Sequence, residues 1–168
     1  MDIVQEGAAV LRGKAAPVEA SEFGSPELTA LVAGMLSVLD GEPDGVALAA
    51  PQIGVGKRIF VVRYDRMLPP ESAPQAPQTG VFINPQIIKS SKKRASVDEG
   101  CLSVRGTYGK TMRYERATVR AQDEEGKVFE RGGGGVLAQA FQHEIDHLDG
   151  ILFIDHATDF YELTHHDA

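Results

Sequence analysis

Near its C-terminal end the chain reads Gln142-His143-Glu144-Ile145-Asp146-His147-Leu148-Asp149-Gly150, and this stretch decides how the rest is read. Leu137, Phe141, Ile145 and Leu148 recur at helical spacing, so a helix is expected over Val136 to Leu148 on grounds independent of the histidines. On an α-helix, residues four apart stack one turn along the same face. His143 and His147 can therefore share one metal ion, with Glu144 beside them as a base toward a water at the ion. Asp146 points elsewhere and can pair with a base such as Arg113. Gly132 to Gly135, just upstream, reads as a flexible joint into the helix.

Two histidines do not complete a catalytic site, which needs a third protein ligand and an open position. One large group of metalloproteases carries its third ligand, a histidine, three residues after a glycine. Here Gly150 occupies the glycine position but Phe153 stands where that histidine would be. Another group uses a glutamate on a later helix, and Glu162 is a poor candidate for it. Upstream lies Glu99-Gly100-Cys101-Leu102-Ser103, where Cys101, the chain's one cysteine, offers a soft thiolate ligand. Taken singly, such a cysteine is more often a small buried hydrophobe. A third segment, Gly45-Val46-Ala47-Leu48-Ala49-Ala50-Pro51-Gln52, combines small residues with an amide side chain that can donate to an oxyanion.

Ser25-Pro26-Glu27 has the form of a helix start, with an N-cap, proline at the first position and acid in the first turn. Leu28, Leu31, Val32, Met35 and Leu39 continue at helical spacing to Asp40-Gly41. Strands are expected at Ile59 to Val62 and from Phe82-Ile83 past Pro85 to Ile88, and a hairpin joins Thr118 to Gln122 with Lys127 to Glu130. Four prolines between Leu68 and Pro77 make that segment a surface excursion. The sum is one α+β domain over residues 1–168: an N-terminal helix and short antiparallel strands packed around a central helix that carries the H-E-x-x-H motif.

Hydrophobic residues at 42% and charged residues at 24% are the mix of a globular protein, and no apolar run has the length of a membrane span. Seventeen basic against twenty-four acidic residues give a formal charge of −7, which argues against a nucleic-acid substrate. Lys89-Ser90-Ser91-Lys92-Lys93-Arg94 reads first as a solvated loop. Its sharper reading is a weak contact with ribosomal RNA. An acidic N-terminus unlike a secretory signal and a single cysteine give the expectation of a cytoplasmic protein.

With its three separated motifs in order, the chain resembles the peptide deformylases. Flanking residues agree, among them Leu11-Arg12, Asn84-Pro85 and Arg113, and the likeness runs from about Ile3 to Asp155. The resemblance implies removal of the formyl group from the N-terminal formyl-methionine of nascent polypeptides, with release of formate. It implies Cys101, His143 and His147 as ligands of one divalent ion, Fe(II) in the cell, with Zn, Ni or Co able to take its place. It makes Glu144 the catalytic base, and the Gln52 side chain and the Leu102 backbone N–H the oxyanion donors. Substrate backbone would pair near Gly45, Val46, Ala47 and Gly100, and Val97, Val136 and Ala140 would line a methionine pocket. Ala47 replaces a glycine usual in that family, Arg105 a common proline, and Gln139 an apolar residue. No long C-terminal helix of the kind some bacterial members use on the ribosome is expected after Asp155. Rival readings are a zinc endopeptidase built on the same helix and a catalytically silent metal-binding protein.

Overall fold

A computed structural model of the chain describes residues 1–163. Helix α1 spans Pro26–Asp40 and helix α2 spans Gly135–Leu148. The strands are β1 (Ala47–Ala49), β2 (Ile59–Arg63), β3 (Thr79–Ser90), β4 (Arg94–Cys101), β5 (Val104–Tyr114), β6 (Arg116–Gln122), β7 (Val128–Gly134) and β8 (Thr158–Glu162). Among the described residues they form a five-stranded sheet ordered β1-β2-β3-β6-β7 and a three-stranded sheet ordered β4-β5-β8, with every pairing antiparallel.

The five-stranded sheet is covered on both faces, which is why β2 reads as an unbroken apolar run. Successive side chains of a strand point to opposite faces. Phe60 and Val62 accordingly join the core under α2, with Phe82, Phe141 and Leu148. Ile59 and Val61 face the other way and pack with Leu28, Val32, Met35 and Leu39 of α1. Phe60 and Phe82 stack at 4.7 Å between ring centroids, and the Phe141 ring meets Phe82 at 5.3 Å. The predicted stripe on α2 is thus its core face: Phe141 and Leu148 are fully buried, and Leu137 and Ile145 pack beside them.

Caps set the helix ends. Ser25 Oγ accepts from the Leu28 N–H at 3.1 Å, with Pro26 in the first turn. Helix α2 stops in a Schellman arrangement, in which Ile151 N–H bonds the Asp146 carbonyl at 2.9 Å and Gly150 N–H bonds that of His147 at 3.2 Å. Gly150 has φ +78°, and a Cβ on it would lie 2.6 Å from the Arg12 carbonyl oxygen. Only glycine fits there.

The glycine run is not a joint. Gly132, Gly133 and Gly134 are the end of β7, paired with Thr118, Ala117 and Arg116 of β6. A Cβ on Gly132 would come within 2.8 Å of Thr118 Oγ1, and one on Gly133 within 2.7 Å of Leu137 Cδ2. These glycines let strand and helix approach closely, and only Gly135 (φ +57°) makes the turn into α2. Two strands also exceed the short lengths expected, β3 with twelve residues and β5 with eleven. The basic stretch runs from the end of β3 to the start of β4 and, like the proline-rich excursion, is largely exposed.

Candidate metal centre and active site

Helix α2 meets the β4–β5 hairpin at the site. Cys101 ends β4 and pairs with Val104, so Leu102 and Ser103 form the tight turn between the strands. The N-terminal segment braces this turn: Gln5 Nε2 donates to the Leu102 carbonyl at 3.0 Å, and the Glu6 N–H to that of Ser103 at 2.8 Å. On the helix side, Gln142 Nε2 donates to the Tyr114 carbonyl at 3.0 Å while its Oε1 accepts from the Tyr114 N–H at 2.9 Å. Those two bonds lock α2 against β5 and fix the distance between the histidines and Cys101.

The ligand atoms of Cys101, His143 and His147 all lie within 4.8 Å of one another. Cys101 Sγ is 3.2 Å from His147 Nε2, which is 3.2 Å from His143 Nε2. Donors held tetrahedrally at ordinary zinc bond lengths stand about 3.3 to 3.6 Å apart, so the set fits one ion of that size. Glu99, buried beneath them, orients the first histidine: its Oε2 is 2.8 Å from His143 Nδ1. A proton on Nδ1 leaves Nε2 free as the ligand atom.

Glu99 is itself held. Arg113 donates through Nε and a terminal nitrogen to both its oxygens, and Thr111 Oγ1 donates at 2.9 Å. Although burial works against ionisation, His143 and Arg113 keep the Glu99 carboxyl well below the usual carboxylate range. Arg113 reaches on to Asp146 at 2.8 Å, the pairing expected for that aspartate. A chain Asp146–Arg113–Glu99–His143 thus ties both strands of the hairpin to α2.

Burial opposes a charge on His143, yet Glu144, Cys101 and Glu99 outweigh it and hold that imidazole well above its ordinary pKa. Burial, with His143 alongside, keeps His147 well below it. Glu144 lies 3.8 Å from His143 Nε2, and burial pushes its carboxyl up to about 7. Two buried atoms, Glu144 Oε1 and His147 Nδ1, lack a hydrogen-bond partner among the described residues.

Gln52 sits in the 3-10 turn Ala50–Ile53 after β1. Its Oε1 accepts from the Ala49 N–H at 2.9 Å, which turns Nε2 toward Ser103 Oγ (3.3 Å) and Cys101 Sγ (3.6 Å). In front of these groups opens a cavity of about 350 Å³. Gly45, Val46, Ala47, Gln52, Gly100, Cys101, Leu102, Val136, Ala140, His143 and Glu144 all border it. His147 lies behind, almost wholly buried. Val97 borders an adjoining cavity instead, shared with Val136 and Gln139. Among the described residues, positive φ at non-glycine positions occurs only at Asn84 and Asp159, so Ala47 is unstrained and its methyl simply borders the cavity. Gln139 borders both cavities, its Nε2 donating to the Asp98 carbonyl at 2.8 Å and to Glu99 Oε1 at 3.4 Å. Sequence reasoning assigned no role to Glu99, Tyr108 or the Arg105–Glu42 ion pair (3.0 Å), all on the cavity wall.

A sequence model of the family described as polypeptide deformylase matches residues 1–162. The chain belongs to the polypeptide deformylase family. Its activity is that family's hydrolysis, the removal of the formyl group from the N-terminus of polypeptides. A peptide deformylase of Heliobacterium modesticaldum is 42% identical over 154 residues, covering 92% of this chain and 91% of that protein. One from Acidobacterium capsulatum is 44% identical over 145 residues, 86% of this chain and 79% of the other. Among solved structures, a class I type b peptide deformylase of Acinetobacter baumannii with Met-Ala-Ser bound superposes with a TM-score of 0.82 at 35% identity, covering 92% of this chain and 97% of that one. Peptide deformylase 1B of Arabidopsis thaliana, in complex with an inhibitor, gives 0.83 at 34%, covering 95% and 82%. Deformylases depend on a metal, and the Cys101, His143 and His147 cluster is where this chain's residues fit one.

Proposed function

We propose that Cys101, His143 and His147 hold one divalent ion, Fe(II) in the cell, and that Glu144 is the base for hydrolysis of N-formylmethionyl peptides. The observation that carries this is the convergence of one thiolate and two imidazoles within 4.8 Å, with a buried, otherwise unpartnered carboxylate oxygen alongside. When bound, the ion supplies Lewis-acid polarisation and a nucleophile available at neutral pH. Thiolate and imidazole donors suit Fe(II), Zn, Ni and Co alike, and the choice of iron follows the resemblance to the family.

The chain's own groups do the rest. Glu144, raised by burial to about 7, takes a proton from the attacking water without holding it too tightly to give it up. The same carboxyl then returns the proton to the leaving amine, which departs as a free N-terminus with formate as the second product. Gln52 Nε2, aimed by the Ala49 bond, and the Leu102 N–H donate to the developing oxyanion. Peptide backbone adds alongside Val46 and Gly100 as an extra strand. Val136 and Ala140 receive the methionine side chain, with Val97 closing the wall beyond. A formyl carbon bears hydrogen where other acyl groups bear carbon, so a tight site selects it by excluding bulk.

Nascent polypeptides are the substrates in this reading, the whole chain is one catalytic domain, and its setting is the cytoplasm. The exposed basic stretch from Lys89 to Arg94 is the surface for a weak ribosome contact. The direct test is release of formate from formyl-Met-Ala by protein loaded with Fe(II) or Ni(II) without oxygen. Formate in step with metal content supports the proposal, and no turnover with either ion refutes it.

A further inference from the structure

Both proposed oxyanion donors lie on turns, and the turns belong to different sheets. Gln52 follows β1 of the five-stranded sheet, and Leu102 sits between β4 and β5 of the three-stranded one. A third piece of chain ties them together. Val4 N–H donates to the Gln52 carbonyl at 2.8 Å, Gln5 Nε2 to the Leu102 carbonyl at 3.0 Å, and Glu6 N–H to the Ser103 carbonyl at 2.8 Å. Gln5 Oε1 also accepts from the Arg105 N–H at 3.4 Å, so one side-chain amide bridges the turn and the start of β5. Alternating side chains anchor this segment. Ile3 packs with the α1 cluster that includes Leu102, and Val4 with the cluster that includes Cys101. Gln5 is exposed and belongs to neither cluster, so its two bonds act on the turn alone.

We propose that Gln5 is a positioning residue for the oxyanion site, aiming the Leu102 N–H, with Val4 to Glu6 as a splint between the two donors. The proposal rests on the reading of the site given above. Stabilising an oxyanion requires dipoles fixed before the reaction, because a donor that must reorient gives back part of what it supplies. The Gln52 side chain is already held at both ends of its amide, by the Ala49 N–H and by Ser103 Oγ. The Leu102 donor is a peptide N–H, and its aim follows the conformation of the turn. Since the oxyanion develops only in the transition state, a loss of aim lowers kcat and leaves KM alone. One hydrogen bond of ordinary net strength corresponds to about twofold to tenfold in rate.

The test compares the native chain with Gln5→Ala and Gln5→Glu. An ionised glutamate keeps the side chain's length and its acceptor for the Arg105 N–H, but it cannot donate to the Leu102 carbonyl. Formate release from formyl-Met-Ala is measured on nickel-loaded protein and expressed per bound ion, so that unfolded protein does not count. Both variants are expected to lose about twofold to tenfold in kcat with KM within about twofold of native. Nitrogen-15 relaxation on zinc-loaded protein gives the second readout. The Leu102 and Ser103 amides are expected near the rigid order parameter of about 0.85 in the native chain and below it in both variants. A native kcat in either variant, a loss confined to KM, or turn amides as ordered as the native ones overturns the assignment. If the native chain itself yields no formate, the deformylase reading falls and the catalytic role of Gln5 with it, while the relaxation data still report whether Gln5 holds the turn.

Discussion

Glu144 and Glu99 lie on opposite sides of His143, and their surroundings give them opposite tasks. Glu99 is held ionised by Arg113 and His143, whereas burial leaves Glu144 ready to exchange a proton near neutrality. Glu144→Ala should therefore retain the ion, since every ligand is intact, and lose about 10²- to 10⁴-fold in formate release. Elemental analysis and a formate assay on one sample check both halves. Arg113→Met should instead unfold more easily, by about 3–5 kcal/mol, because it strands the Glu99 carboxylate in the interior. Urea denaturation of the two proteins reads that difference. The sequence carries the first of these residues openly: His143, Glu144 and His147 are a local motif whose helical spacing brings them together. Glu99 and Arg113 are fourteen positions apart and meet only through the β4–β5 register, which pairs Glu99 with Gly109 and Arg113 with Ala95. No local pattern announces that pairing.

Elements whose periodicity is strong are the ones their own residues specify. Helix α1 begins at Pro26 behind its serine cap, and α2 differs from its expected span only by Gly135. Strand β2 was equally legible, since both faces of the sheet are covered and every residue in it is buried. Strands β4, β5 and β8 were not read at all. Their residues are largely polar on one side or both, as in Arg105-Gly106-Thr107-Tyr108-Gly109-Lys110, because solvent or the cavity replaces a second packed layer. Glycine misled in the opposite sense: Gly132 to Gly134 look like a hinge but are a paired strand, with Gly132 pressed close to Thr118 and Gly133 to Leu137. The C-terminal turn of α2 makes the sharper prediction. Gly150→Ala combines a left-handed backbone with a contact on the Arg12 carbonyl, so it should cost at least about 1–3 kcal/mol. At roughly 2–4 °C per kcal/mol for a chain of this size, differential scanning calorimetry should show a clear fall in Tm.

For the molecule as a whole, acid is the informative stress. Asp65 accepts two hydrogen bonds from Arg63, which with further bonds hold its carboxyl well below the usual range despite some burial. In an unfolded chain the same group titrates near 4, so the folded state binds its proton more weakly. The stability this pair contributes is complete above about pH 4 and is lost as pH falls through the lower, folded value. Asp65→Asn should flatten the acid limb of a stability-versus-pH curve measured by urea denaturation, and an unchanged limb would remove the pair from that role. Everything chemical, however, depends on two distant pieces of chain closing one coordination sphere, the turn after β4 and the middle of α2. X-ray absorption at the metal edge of zinc-loaded protein measures that closure directly. The account predicts one sulfur at about 2.3 Å together with nitrogen ligands near 2.0–2.1 Å, the sulfur being lost in Cys101→Ser. A wild-type spectrum with only nitrogen and oxygen neighbours would contradict it.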